Sequence, residues 1–209
     1  IVALMAWFIS WRALLFLSFY IFLIWFYSHK LKKIVFIGNL SAALLAVWPF
    51  FAILLYYYQP TSIEELERHK DHFAVIIAHA SFLFLLILIR ELIKDLENLK
   101  GDLANNYHTI PVFYGENWSK RISTGLTVLT LVPVYILIEL YDVGYMDIYF
   151  YSSLIVLLFF LLLLWQSNNK PHYIRLHNIL KFLIVAGVFC VVLINPSVLW
   201  HGKNWLLKQ

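Results

Sequence analysis

The residues best suited to chemistry lie within one stretch, residues 90–115, which reads RELIKDLENLKGDLANNYHTIPVFYG. Glu91, Asp95, Asn98 and Asp102 follow one another at spacings of four, three and four. At 3.6 residues per turn, that spacing places all four on one face of a helix. Like charges four residues apart repel and destabilise an isolated helix, so this face calls for a counter-charge. Lys94 or basic residues of a neighbouring loop could supply it, in which case the stretch is the charged end of a helix leaving a membrane. A divalent cation could also supply it, since Mg²⁺ takes carboxylate oxygens together with substrate phosphates.

A second polar element, Tyr27-Ser28-His29-Lys30-Leu31-Lys32-Lys33, precedes a Gly38-Asn39 pair. Alone, its lysines would anchor a helix end at a membrane surface. Beside an acidic face they acquire another use: carboxylates hold Mg²⁺, Mg²⁺ holds phosphate, and lysines neutralise the remaining phosphate charge. Among the histidines, His79 alone falls well inside an apolar segment, where a buried and hydrogen-bonded role is expected. His172 and His177 are expected near the same membrane face as the acidic stretch. Cys190 has no second cysteine to pair with.

The elements that must position these groups are apolar. Of the 209 residues, 62% are hydrophobic and the mean hydropathy is +0.78, against about 45–50% apolar residues in soluble domains. This excludes a water-soluble globule and predicts an all-α integral membrane bundle in contact with the lipid bilayer, because an open sheet would leave edge amides unsatisfied in lipid. Spans are expected over residues 37–57, 73–92, 122–140, 148–165 and 174–194, with Pro49 and Pro133 kinking two of them. Residues 1–27 read as the tail of one helix, a turn at Ser10-Trp11-Arg12 and a second helix over 13–27, which keeps Arg12 at an interface. The count is about six or seven transmembrane helices in a single domain covering 1–209. Residues 99–121 read as a long connection without helical period, and loops of that length are commonly functional. Ser62 and Glu65 form a capping box at the start of a short interfacial helix over 61–71.

Loop charge sets the orientation. Lys30, Lys32, Lys33, Arg90, Lys94, Lys100, Lys120, Arg121, Lys170, Arg175 and Lys181 fall in alternate loops. The opposite loops hold only Arg68, Lys70, Lys203 and Lys208, with Arg12 at their edge. The rule that basic loops stay inside puts the acidic stretch and the lysine run in the cytoplasm. The carboxylates cluster at helix ends, which disfavours a transporter, whose pathway needs ionisable groups at mid-membrane. No nucleic-acid partner is expected.

At this point the residues resemble a known family. Arg90-Glu91, Lys94-Asp95, Glu97-Asn98 and Gly101-Asp102, leading into Thr109-Ile110-Pro111-Val112 and Gly115, are similar to the second aspartate-rich motif of UbiA-type membrane prenyltransferases. The likeness is nearest the branch that contains geranylgeranylglycerol-phosphate geranylgeranyltransferases. The Tyr27–Lys33 run with Gly38-Asn39 resembles the family's basic loop. The resemblance implies a nine-helix fold around a central cavity, in a bacterial or archaeal cell membrane. It implies Mg²⁺-dependent transfer of a prenyl group from a prenyl diphosphate to a lipophilic or glycerol-phosphate acceptor. It further implies Asp95 and Asp102 as catalytic metal-holding carboxylates, supported by Glu91 and Asn98. Tyr27, Lys30, Lys32, Lys33 and Lys94 would meet the diphosphate, and Asn39 and Tyr107 would line the substrate pocket. Tyr56, Tyr57, Tyr107 and Phe113 are candidate aromatic faces for the allylic cation.

Two departures stand out. The family's first aspartate-rich motif has no counterpart here, which fits a chain beginning inside the third helix, and such a chain alone is expected to be inactive. Asn98 also stands where the family carries Asp. Both leave open a non-catalytic homologue acting as a membrane scaffold.

Overall fold

A computed structural model describes residues 11–57, 70–141 and 143–190. The capping box at Ser62 and Glu65 lies outside the described residues. The elements are α1 (Trp11–His29), a 3₁₀ turn (Leu31–Lys33), α2 (Ile37–Tyr57), α3 (Lys70–Ala104), α4 (Ile110–Tyr114), α5 (Glu116–Leu129), α6 (Leu131–Tyr135), a π-helical turn (Ile136–Leu140), α7 (Met146–Gln166) and α8 (Lys170–Cys190). Among the described residues, five helices are long and apolar enough to cross a membrane, and α2 adds a shorter apolar stretch over Ile37–Phe51. The all-α membrane architecture expected from the composition is therefore what forms.

The centre of the bundle is α3. Its apolar residues are not confined to a stripe, as they are in a helix with one wet face, because neighbours cover it on more than one side. On one side Ala80, Ile87 and Leu88 pack against Ala43 and Val47 of α2. On the other, Phe82, Leu86, Ile89 and Ile93 meet Leu137, Phe150, Phe160, Leu176 and Leu180 from the π-helical turn, α7 and α8. Two thirds (67%) of its most apolar window is buried, against 33% for α7 and none for α1. Among the described residues, α3 is therefore surrounded by protein, whereas α1 packs at the edge of the bundle. Phe82 stacks edge-on to Phe150 with ring centroids 5.6 Å apart, a geometry favoured by the ring quadrupoles.

At 35 residues, α3 is about 52 Å long and exceeds a hydrocarbon core of about 30 Å. Its last turns therefore project from the apolar layer, and they carry Asp95, Asn98 and Asp102. This differs from the expected long connection over 99–121. The helix runs on to Ala104, α4 occupies Ile110–Tyr114, and α5 begins at Glu116. The polar residues that hid the periodicity are the ones lining the exposed face.

The two prolines behave differently. Pro49 sits inside α2 without ending it. At Pro133 the span Glu116–Leu140 breaks into α5, α6 and a π-helical turn, since proline offers no amide to the preceding turn. Buried Thr130 bridges the break, its hydroxyl donating to the Thr127 carbonyl at 2.6 Å.

Candidate active site

The polar end of α3 is fixed by how that helix stops. Asn106 takes a left-handed φ of 53°, which Asn tolerates better than most residues. The amide of Tyr107 then bonds the Asp102 carbonyl at 2.9 Å, and the amide of Asn106 bonds that of Leu103 at 3.4 Å. This is a Schellman closure with Asn in the usual glycine position. It turns the chain back so that Thr109 Oγ1 donates to Asp102 Oδ2 at 3.3 Å. Tyr107, expected in the substrate pocket, is half-buried in this return. After α4, Gly115 at φ 86° and ψ 167° adopts a backbone that only glycine reaches without strain, and α5 begins.

The basic run is brought to the same end. Phe36, at φ 62°, marks the reversal from the Leu31–Lys33 turn into α2. Gly38 then lets the turn lie directly on the first turn of α2: a Cβ there would stand 2.9 Å from the Lys32 carbonyl oxygen. The next residue, Asn39, donates from Nδ2 to Asp95 Oδ2 at 2.8 Å. One short segment thus seats the lysines and orients the acidic helix. Lys32 lies within electrostatic reach of Asp102, and Tyr27 within reach of Glu91, Lys94 and Asp95. Lys30 is exposed at the start of the turn; the side chain of Lys33 lies outside the described residues.

The four-residue acidic face is not uniform. Glu91 is buried, and both its oxygens are taken: Oε1 by Arg90 and Oε2 by Lys94 Nζ at 2.8 Å. The like-charge repulsion that called for a counter-ion is answered here by cations of the same helix. Glu91 therefore serves charge pairing, and Lys94 is committed partly to it. Asp95 and Asp102 are left, two turns and about 10 Å apart. Asn98 lies between them, and its side chain makes no hydrogen bond among the described residues.

Among the described residues, no three His, Cys, Asp or Glu side chains converge on a metal-sized point. The donor set therefore does not fit a cage of protein ligands. It fits the other mode of Mg²⁺ binding, in which one or two carboxylates share the ion with phosphate oxygens and water.

Other expectations are sorted as plainly. Phe113 is 64% exposed, so it does not face an interior cation. The side chains of Tyr56 and Tyr57 lie outside the described residues. His79 is buried as expected, but against rings: Phe50 at 6.1 Å and Phe150 at 5.9 Å between centroids. Its imidazole makes no hydrogen bond among the described residues. His177 Nδ1 meets Glu97 Oε2 at 2.8 Å and ties α8 to α3.

One cluster was not singled out by sequence reasoning. Lys120 is buried. Its ammonium reaches the Ser167 carbonyl, Asn168 Oδ1 at 3.3 Å and Glu116 Oε1 at 3.0 Å. Tyr173 donates to the same Glu116. This network holds the start of α5 to the turn between α7 and α8. The only signal in sequence was Glu116 with Lys120 at i and i+4, a pair indistinguishable from an exposed one.

Comparison with known proteins identifies the family. The profile of the UbiA prenyltransferase family matches residues 1–179. A digeranylgeranylglyceryl phosphate synthase of Methanosphaera stadtmanae is 30% identical over 126 residues, 58% of this chain and 41% of that protein. The synthase of Pyrococcus furiosus is 27% identical over 148 residues, 70% of this chain and 48% of that protein. The one from Methanopyrus kandleri is 44% identical over 64 residues, 27% of this chain and 24% of that protein. The chain spans about half the length of the curated relatives it matches. No solved structure gives a match. With its apolar spans, the match makes this an integral membrane protein, and the chain belongs to the UbiA prenyltransferase family.

Proposed function

We propose that this chain is a transmembrane domain of a prenyltransferase that moves a prenyl group from a prenyl diphosphate to a lipophilic acceptor bearing glycerol phosphate. The observation that carries the reading is the meeting of Asp95 and Asp102 with the Leu31–Lys33 turn at one end of the bundle, joined by the Asn39–Asp95 hydrogen bond. The relatives named as digeranylgeranylglyceryl phosphate synthases support the acceptor class. The excess of basic residues in these loops supports a cytoplasmic position for this end.

In this mechanism, Asp95 and Asp102 would hold Mg²⁺ jointly with the diphosphate, and Asn98 would add a neutral oxygen between them. Held there, Mg²⁺ would neutralise charge on the leaving group. Lys32 and Lys30 add fixed positive charge at the same place, where diphosphate charge rises as the allylic C–O bond breaks. Asn39 keeps Asp95 turned toward that charge. Lys94 contributes what its pairing with Glu91 leaves over.

A second reading is favoured by one residue. Asn98 replaces a carboxylate in the motif, and with Glu91 sequestered the end of α3 offers two acids rather than four. A non-catalytic homologue with a scaffold role would look the same. Direct binding separates the two. A fluorescent prenyl diphosphate analogue should bind the purified protein only with Mg²⁺ present, and Lys32→Gln should weaken it about tenfold. Binding that ignores Mg²⁺ and Lys32 would favour the scaffold.

A further inference from the structure

The same membrane face holds a second polar site, separate from the acidic end of α3. A cleft of about 580 Å³ opens between the start of α5 and the turn joining α7 to α8. Its lining includes Tyr114, Glu116, Asn117, Trp118, Arg121 and Asn168. It differs from two cavities elsewhere in the bundle, which are walled by apolar residues such as Phe50, Phe84 and Ile184.

Three features decide what this cleft can hold. First, its one carboxylate is already neutralised. Glu116 is engaged by the buried Lys120 ammonium at 3.0 Å and by the Tyr173 hydroxyl. The charge left to the cleft is that of Arg121. Second, Arg121 is set in place by stacking, its guanidinium lying 5.6 Å from the centroid of the Trp118 ring. A guanidinium held this way loses less freedom on binding and keeps its fork of donors free for phosphate oxygens. The side-chain amides of Asn117 and Asn168 add neutral donors on either side. Third, the cleft sits at an interface. Arg121 lies in the first turns of the span Glu116–Leu140, and Phe113, Tyr114 and Trp118 around it are more than half exposed. Exposed aromatic rings with an arginine at the end of a span occupy headgroup depth.

We propose that this cleft binds the phosphate of an anionic membrane lipid headgroup, with Arg121 as its charged anchor and Trp118 as the surface that holds it. The site is independent of the reading given to Asp95 and Asp102. It selects lipids with net negative charge over zwitterionic ones, because no carboxylate remains free in the lining to meet a quaternary amine.

The test is lipid retention by the purified full chain, read by native mass spectrometry in a neutral detergent with phosphatidylglycerol or phosphatidylcholine added. The wild-type chain is expected to retain phosphatidylglycerol in preference to phosphatidylcholine. Arg121→Gln is expected to weaken that retention about tenfold, and Trp118→Leu, which keeps the charge, by about threefold. Arg175→Gln removes another exposed cation near the same face, outside the cleft, and should leave retention unchanged. Both altered arginines are exposed, so loss of fold does not confuse the comparison. Equal retention by Arg121→Gln, or an equal loss in Arg175→Gln, overturns the proposal. Displacement of the lipid by millimolar inorganic phosphate overturns it in favour of a free-phosphate site.

Discussion

Gly38→Ala tests how closely the basic turn must sit on α2. A Cβ at this position would stand 2.9 Å from the Lys32 carbonyl oxygen and 3.3 Å from that of Leu31. Both are backbone atoms, so no side chain can swing aside. To restore ordinary contact, the turn must retreat by about half an ångström. That retreat carries Lys32 away from Asp102. A misplacement of 1 Å can cost about a hundredfold in rate, so half of that predicts a loss near tenfold, or about 1.4 kcal/mol of transition-state stabilisation. Fold stability should fall by no more than about 2 kcal/mol. Overpacking costs about 1–3 kcal/mol, and replacing glycine by alanine within a helix returns about 1 kcal/mol. The assay pairs prenyl-transfer kinetics with thermal melting of the detergent-solubilised protein. A variant with wild-type kcat/KM would refute the claim that the turn positions Lys32 for the reaction. A variant that loses activity only because it no longer folds would refute the stability argument.

The other predictions concern the acidic helix and the buried network. Asn39→Ala removes the donor to Asp95 Oδ2; transfer should fall about tenfold, mostly in kcat, while Asn39→Asp, which places a second carboxylate at that point, should fall further. Glu91→Gln should lower the melting temperature through loss of its pairing with Arg90 and Lys94, yet leave the Mg²⁺ concentration for half-maximal activity unchanged; a raised Mg²⁺ requirement would return Glu91 to the metal site. Lys120→Met should destabilise the protein by about 1–2 kcal/mol, since Glu116 and the Ser167 carbonyl lose the ammonium and keep only the Tyr173 hydroxyl. Chemical unfolding in mixed micelles measures that change, and a neutral result would show that the network contributes nothing.

Much of the bundle could be read from the chain because lipid leaves few alternatives. A run such as residues 148–165 has to be a helix, and α7 extends it by only a turn at most. The acidic face was also legible, since spacings of four, three and four mean one face wherever a helix forms, and α3 does continue through Asp102. What could not be read was which polar residues spend their charge on one another. Glu91 and Asp95 look alike in sequence, and only packing reveals that Arg90 and Lys94 close around the first while Asn39, from another helix, meets the second. Lys120 shows the same limit. It counted as a loop cation marking the cytoplasmic side, yet it is buried against Ser167 and Asn168, 47 and 48 residues away. Contacts of that separation leave no local pattern. The extent of α3 past Leu99 was hidden for a related reason: periodicity read from apolar residues fails where the helix leaves the apolar layer.

The most direct test of the account is Mg²⁺-dependent transfer from radiolabelled geranylgeranyl diphosphate to a lipid-soluble product, measured in membranes that express the natural gene, unaltered or carrying Asp102→Ala. The account predicts product that requires Mg²⁺ and falls at least a hundredfold in the variant. Product formed equally well without Asp102, or no product with any of several prenyl diphosphates and glycerol-phosphate acceptors, would contradict it.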